Sequence, residues 1–279
     1  MKHQEGTFKG AHDANLYYQA WLPETDPKAV LLVVHGLAEH SGRYMNVVNH
    51  VVPLDYAVYA LDHIGHGKSE GQRVFVARFE DFITSLKIYF DQVRQWQPRK
   101  PIFLLGHSMG GLIGARYLLD YQAELAGAVL SGPAVKLSAE IPPALVAVSQ
   151  LISTVAPKMG VAGLSADGIS RDPAVVQAYV NDPLVFTGKT TARLGAEMLK
   201  AARQVLAGAA TIRLPVLIVQ GGADKLVDPA GARMLFDAIA SADKTLKIYD
   251  GYYHEVFNDP GREVVLADVA AWLEARLTA

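Results

Sequence analysis

Ser108 sits in the run Gly106-His107-Ser108-Met109-Gly110, between the apolar stretch Ile102-Phe103-Leu104-Leu105 and a segment, Gly111 to Leu119, with apolar residues at helical spacing. A strand, a tight Gly-x-Ser-x-Gly turn and a helix in that order make a nucleophile elbow, with the serine Oγ standing alone above a sheet edge. The helix places its positive end beside that oxygen. Glycine is needed on both sides because the crossing strand and helix leave no room for a Cβ. A loop that carries two glycines and a serine by accident is the plain alternative, and the flanking strand and helix argue against it. A serine hydroxyl is a weak nucleophile until a base takes its proton, and the base needs a carboxylate to orient it. His254 is the one histidine after Ser108. Two carboxylates lie in Gly221-Gly222-Ala223-Asp224-Lys225-Leu226-Val227-Asp228-Pro229. Asp224 follows the glycines where a strand-end loop turns back, whereas Asp228 precedes a proline and reads as a helix cap. Asp224 is therefore the predicted acid. Taken singly, His254 could be a surface histidine and Asp224 a turn former. All three in the order nucleophile, acid, base point to acyl-transfer chemistry.

Such a constellation needs a rigid frame. Ala29 to Val34, Tyr56 to Leu61, the run ending at Leu105, Leu125 to Leu130, Pro215 to Gln220 and Thr245 to Tyr249 are short apolar runs that read as buried strands. Helical patterns lie between them, at Tyr44 to Val52, Phe79 to Trp96, Ala230 to Ile239 and Arg262 to Leu277. The alternation predicts an α/β fold, a mostly parallel central sheet with helices on both faces. Leu16 to Leu22 reads as an edge strand that stops at Pro23. In parallel sheets the site lies outside the carboxyl ends of the strands, which is where the loops at His35, Asp62, Gly106, Ser131, Gly221 and Gly251 begin. An oxyanion would need backbone N–H donors. Met109, the residue after the nucleophile, offers one, and Leu37 in the turn His35-Gly36-Leu37 offers the other.

The alternation breaks between about Ala134 and Arg213, where helical patterns occur without a convincing strand. One runs from Pro142 to Val155, with Leu145, Val148, Leu151, Ile152 and Val155 at helical spacing; others start at Pro173 and Lys189. Residues 134–212 read as a helical lid inserted in a single domain of residues 1–279. Ala144, Val146, Ala147 and Leu151 place small and apolar residues on several sides of its first helix. That face could meet a lipid-like substrate and a membrane or micelle, or pack onto the core.

The chain has 279 residues, 51% hydrophobic and 19% charged, with a net charge of −2 and no cysteine. A sizeable buried core follows, and nucleic acid is a poor fit in the absence of a basic run. Disulfides, thiolate metal sites and a cysteine nucleophile are excluded. No apolar run reaches membrane-spanning length and the first residues lack a signal-peptide core, so a cytoplasmic protein, at most peripheral at membranes, is expected. His35, His40, His63, His66 and His107 lie on three loops without metal-site spacing and read as braces of turns, so neither metal nor cofactor is predicted.

The stretch His35 to Tyr44 (HGLAEHSGRY) resembles the HGxxEHxxRY segment of the monoacylglycerol lipase family of α/β-hydrolases. Asp62 to Gly71, Gly106 to Gly111, Ser170-Arg171, Tyr179 to Leu184, Gly222 to Asp224, and Lys244 to Gly251 with His254 match further family stretches, lid included. The resemblance implies the α/β-hydrolase fold and hydrolysis of monoacylglycerols to fatty acid and glycerol. It also implies a polar pocket end for glycerol near Glu39 and Arg43, with Tyr179 as a further lining residue. Glu39 and Arg43 could touch glycerol, brace the oxyanion loop, or simply pair with each other. Vertebrate members carry cysteines around the pocket; this chain has none, so thiol-directed inhibition should not transfer. Rival readings are a lysophospholipase, a general short- or medium-chain carboxylesterase, an aminopeptidase using acidic lid residues, and a non-catalytic binding protein on the same fold.

Overall fold

The computed structural model describes residues 1–136 and 151–277. In chain order its strands are β1 (Lys2–Lys9), β2 (Asn15–Leu22), β3 (Ala29–Val34), β4 (Tyr56–Leu61), β5 (Ile102–His107), β6 (Gly127–Ser131), β7 (Gly160–Gly163), β8 (Lys189–Thr191), β9 (Val216–Gly221) and β10 (Lys244–Tyr249). Eight of them form one sheet in the order β1-β2-β4-β3-β5-β6-β9-β10. From β4 to β10 every neighbouring pair is parallel, while β2 runs antiparallel to both β4 and β1. The six parallel strands thus present their carboxyl ends on one side.

Strands β3, β4, β5 and β9 are buried at every position, as continuous apolar runs require when both faces are covered. Alternate residues divide between the faces: Val30, Leu32 and Val34 point to one cluster, Ala29, Leu31 and Val33 to the other. Helices α1 (Met45–Val51) and α7 (Arg262–Glu274) cover the second face through Val48, Val51, Val269 and Trp272. Helices α2 (Glu80–Trp96), α3 (Met109–Tyr121), α5 (Ala192–Gly208) and α6 (Pro229–Ala238) cover the first. Each fully buried Leu, Val or Phe contributes about 1.5–3 kcal/mol relative to exposure, which fixes the register of the sheet.

Two expectations change. Leu16 to Leu22 lies in β2, which is an inner strand, because β1 pairs along its whole length, Lys2 opposite Leu22 and Lys9 opposite Asn15. Phe8 is the one buried residue of β1, so no alternation betrayed that strand. The stretch between β6 and β9 also holds strands: β7 and β8 form an antiparallel pair with an irregularity between Gly160 and Ala162. Four and three residues are too few to show a period. Lys189 accordingly begins β8 rather than a helix, and α5 begins at Ala192, where Thr191 accepts a hydrogen bond from Leu194 N–H.

The helix predicted at Pro173 is α4 (Pro173–Asn181), capped by Asp172, whose side chain accepts from Ala174 N–H. Most of the helix predicted from Pro142 to Val155, with Leu145 and Val148, lies outside the described residues. Its described end, 151–155, is helical, with Leu151 63% and Val155 73% exposed. The second half of the stretch belongs to the core, since Leu194, Ala201 and Val205 of α5 pack on the α3 side of the sheet.

Candidate active site

Ser108 occupies the turn between β5 and α3, with φ 55° and ψ −118°. A positive φ is unfavourable for a non-glycine residue and costs on the order of 1–3 kcal/mol, which the surrounding bonds must hold. Ser108 N–H donates to Ser131 O at 2.8 Å, and Ser108 O accepts from Leu112 N–H at 3.0 Å and Ala134 N–H at 3.1 Å. A Cβ at Gly106 would lie 2.3 Å from Gly110 O, and one at Gly110 would lie 2.0 Å from Val34 O. Both glycines are therefore steric requirements of the crossing.

His254 follows β10 and Asp224 follows β9. The His254 ring is buried and its Nδ1 stands 2.7 Å from Asp224 Oδ2. A carboxylate only accepts, so Nδ1 carries the proton and Nε2 is left as the basic nitrogen. Asp224 Oδ2 also accepts from Gln220 Nε2 at 2.8 Å, and Oδ1 accepts from the N–H groups of Leu226 and Val227. Burial pushes the Asp224 carboxyl up, but His254 and these N–H donors outweigh it and the group stays below the usual aspartate range. Burial likewise disfavours the His254 imidazolium, yet the Asp224 charge outweighs it and raises the imidazole above its usual value. Asp228 lies elsewhere: it caps α6 by accepting from Ala230 N–H and pairs with Lys136. Backbone brings the Asp224 and His254 loops together, for a Cβ at Gly221 would meet Tyr253 O at 2.1 Å.

The turn after β3 approaches Ser108 closely, since a Cβ at Gly36 would lie 3.3 Å from Ser108 Cβ. Ala38 within it has φ 65°. Among the described residues no acceptor engages the N–H of Leu37 or of Met109, the first residue of α3. Glu39 braces the turn. Its Oε1 accepts from Gly36 N–H at 2.7 Å and Tyr44 Oη at 2.8 Å, and its Oε2 accepts from Arg43 Nη1 at 2.7 Å. Arg43 in turn forms a bidentate pair with Glu255 at 2.6 and 2.8 Å and lies 4.6 Å from the Tyr179 ring centroid. Burial works against the Glu39 carboxylate, but Arg43 foremost holds it below the usual glutamate range. Of the readings open for Glu39 and Arg43, the bonds present are those of a brace and a mutual pair.

One cavity is lined by Ser108, His254, Gly36 and Leu37. Its other walls are apolar (Leu164, Ile169, Met198, Leu226) and polar (Glu39, His107, Tyr179, Glu255). A family model described as serine aminopeptidase, S33, matches residues 25–261. The monoacylglycerol lipase of Mycolicibacterium smegmatis is 41% identical over 273 residues, 98% of either chain. The monoglyceride lipase of Mus musculus is 36% identical over 95% of this chain and 88% of its own. The crystal structure of Paleococcus ferrophilus monoacylglycerol lipase matches with a TM-score of 0.82 and 30% identity, covering 99% of this chain and all of that one.

The chain belongs to the monoacylglycerol lipase family of α/β-hydrolases.

Several residues around this family site escaped the sequence reading. Glu255, Gln220 and Ser131 hold Arg43, Asp224 and His107 respectively, the last at 3.2 Å from His107 Nδ1. Glu255 adjoins His254, but its partner Arg43 is more than two hundred positions away, so nothing local marks it. Four of the five histidines make the ring hydrogen bonds expected of braces, whereas neither ring nitrogen of the buried His63 has a partner among the described residues. His35 Nε2 accepts from His63 N–H, so its Nδ1 carries the proton and donates to Gly36 O at 2.7 Å. His40 pairs with Asp182 at 2.9 Å, and the His107 ring lies 4.7 Å from that of His254. Burial holds His107 down to about 4, hence neutral. Among the described residues no group of three His, Asp or Glu side chains could hold a metal ion.

Proposed function

We propose that this carboxylic ester hydrolase cleaves monoacylglycerols to a fatty acid and glycerol through an acyl-enzyme on Ser108. The observation that carries the reading is the buried His254, 2.7 Å from Asp224, lining the same cavity as a serine on a strained strand–helix turn. Ser108 Oγ attacks the ester carbonyl as His254 Nε2 takes its proton, and Asp224 steadies the imidazolium through Nδ1–H. The carbonyl oxygen, now negative, is held by the N–H groups of Leu37 and Met109. When the carbon–oxygen bond breaks, His254 gives its proton to the departing glycerol oxygen. Water then loses a proton to His254 and attacks the acyl group, and Ser108 recovers its proton as the fatty acid leaves.

The acyl tail lies along Leu164, Ile169 and Met198, and glycerol faces the end formed by Glu39, Glu255 and Tyr179, with Arg43 behind them. Residues 134–212 act as a lid within one domain of residues 1–279. The lining contributed by Leu164, Ile169, Tyr179 and Met198 supports that role. Leu151, Val155, Met159, Val161 and Leu164 are exposed one after another along it. We take this run as a transient contact with a membrane or micelle, peripheral to a cytoplasmic protein. Among the described residues no helix is long and apolar enough to cross a membrane.

An aminopeptidase would need free carboxylates in the inserted stretch for a substrate amine. Glu140 lies outside the described residues. Asp172 caps α4, Asp182 pairs with His40, Glu197 accepts from Phe79 N–H, and Asp167 is exposed but does not line the cavity. The carboxylates that do line the cavity, Glu39 and Glu255, share the Arg43 guanidinium, so both are already engaged in ion pairs. Hydrolysis of mono-, di- and triacylglycerols and a lysophospholipid over a chain-length series tests the reading. Monoacylglycerols are expected to be cleaved fastest; comparable rates on triacylglycerols, or faster cleavage of the lysophospholipid, would overturn it.

A further inference from the structure

Asp259 lies just before α7, outside the cavity, with none of its surface exposed. Its carboxylate accepts four hydrogen bonds. Oδ1 takes Ser170 Oγ at 2.9 Å and Arg171 N–H at 2.7 Å; Oδ2 takes Arg171 Nε at 2.8 Å and Tyr253 N–H at 2.9 Å. Tyr253 immediately precedes His254. The segment on the other side of the clamp, Gly168 to Arg171, leads into α4, which carries Tyr179. A buried carboxylate is tolerated when a cation and several donors satisfy it, and breaking that set is costly. Arg171 supplies the cation and is itself held by Pro260 O at 2.7 Å, with its guanidinium 4.6 Å from the Tyr252 ring centroid.

The same two segments are laced together by backbone. Glu255 N–H donates to Ile169 O at 2.8 Å and His254 N–H reaches Gly168 O at 3.5 Å. On its far side the histidine loop rests on the acid loop, where Ala223 N–H donates to Tyr252 O at 2.9 Å. The loop carrying His254 is thus sandwiched between the strand end that bears Asp224 and the inserted stretch. Asp259 is the side chain that ties the inserted stretch to the backbone next to the imidazole.

We propose that Asp259 is a positioning residue, clamping the Gly168–Arg171 segment to the His254 loop so that the inserted stretch sets the angle of the imidazole. The inference rests on His254 serving as the base. It gives the inserted stretch a second role beside lining the cavity, because any displacement of Ser170 and Arg171 is carried through one carboxylate to the residue before His254. Asp259 touches neither the cavity nor the ring, so its effect is on geometry alone.

The test uses the full chain. An alkyl fluorophosphonate on the parent protein checks the premise: absence of an adduct on Ser108 overturns the reading on which the clamp rests. With the adduct found, Asp259→Asn keeps the volume of the side chain but sets an amide NH2 against two donors. The expected result is a folded protein whose kcat on a water-soluble butyrate ester falls about tenfold or more while KM moves less than about threefold. The low-field NMR signal of the proton between His254 Nδ1 and Asp224 should broaden away in the same protein. A merely structural role would leave that signal in place. Arg171→Ala, at a partly exposed side chain, should act in the same direction with a smaller fall, and it decides the matter if Asp259→Asn does not fold. Either folded variant with kcat within about twofold of the parent and an unaltered histidine proton would overturn the clamp.

Discussion

Around His254, single charges set the pH at which Nε2 can take a proton. Burial works against the imidazolium, but Asp224 foremost, with Glu255 and Glu39, raises the group above its usual value. Ester cleavage needs the neutral ring, so kcat/KM should fall as pH drops through that raised value. Glu255→Gln removes a negative charge beside the ring and leaves Arg43 less neutralised, both of which disfavour the imidazolium. The acid limb of the pH–rate profile should therefore move to lower pH; a limb that stays or moves up contradicts this electrostatic account. Asp224→Asn should lower kcat by about 10⁴, because an amide no longer holds the reactive tautomer. Asp228→Ala should cost about 1 kcal/mol of stability and leave kcat unchanged, as the loss of a helix cap does. Ser108, Asp224 and His254 were legible because each sits at a strand end in the order this chemistry uses. Glu255 and Asp259 were not, since a polar residue in a loop looks the same whether it faces water or a distant partner, and Gln220, near the end of β9, carried no mark of its bond to Asp224.

At the scale of elements, the elbow and the turn after β3 are one packed unit. A Cβ on Gly110 would meet two backbone oxygens, Val34 O at 2.0 Å and His35 O at 2.4 Å, neither of which can swing away. Gly110→Ala should lose more than about 3 kcal/mol of stability in denaturant unfolding, and near-parental stability would show that the crossing is looser than described. Gly36→Ala is milder, meeting Glu39 Oε1 at 2.8 Å and Ser108 Cβ at 3.3 Å. Displacing that turn moves the proposed Leu37 donor, so kcat should fall about tenfold to a hundredfold. The buried parallel strands were legible because burial on both faces makes them continuously apolar. β1 was not, as its polar residues face water on both sides, and its neighbour β2 consequently read as an edge. The strands β7 and β8 were hidden by their brevity, and so the inserted stretch read as wholly helical.

Over the whole molecule, the described part of the inserted stretch is joined to the hydrolase body twice, by α5 in the main core and by Asp259, which bonds Ser170 and the backbone next to His254. Leu151, Val155, Met159, Val161 and Leu164 are exposed, and the last of them lines the cavity, which is the basis of the proposed lipid contact. Leu151→Ser with Val155→Ser should lower the partition onto anionic or neutral vesicles about thirtyfold or more, given roughly 1 kcal/mol or more lost per apolar side chain, with the rate on a water-soluble ester unchanged. Unaltered vesicle binding in co-sedimentation would remove that contact from the account. The measurement closest to the central claim is glycerol release from a monoacylglycerol by the Ser108→Ala protein, checked for an unchanged melting profile. The account predicts a rate about 10⁴-fold or more below the parent; release at a rate near that of the parent would contradict it.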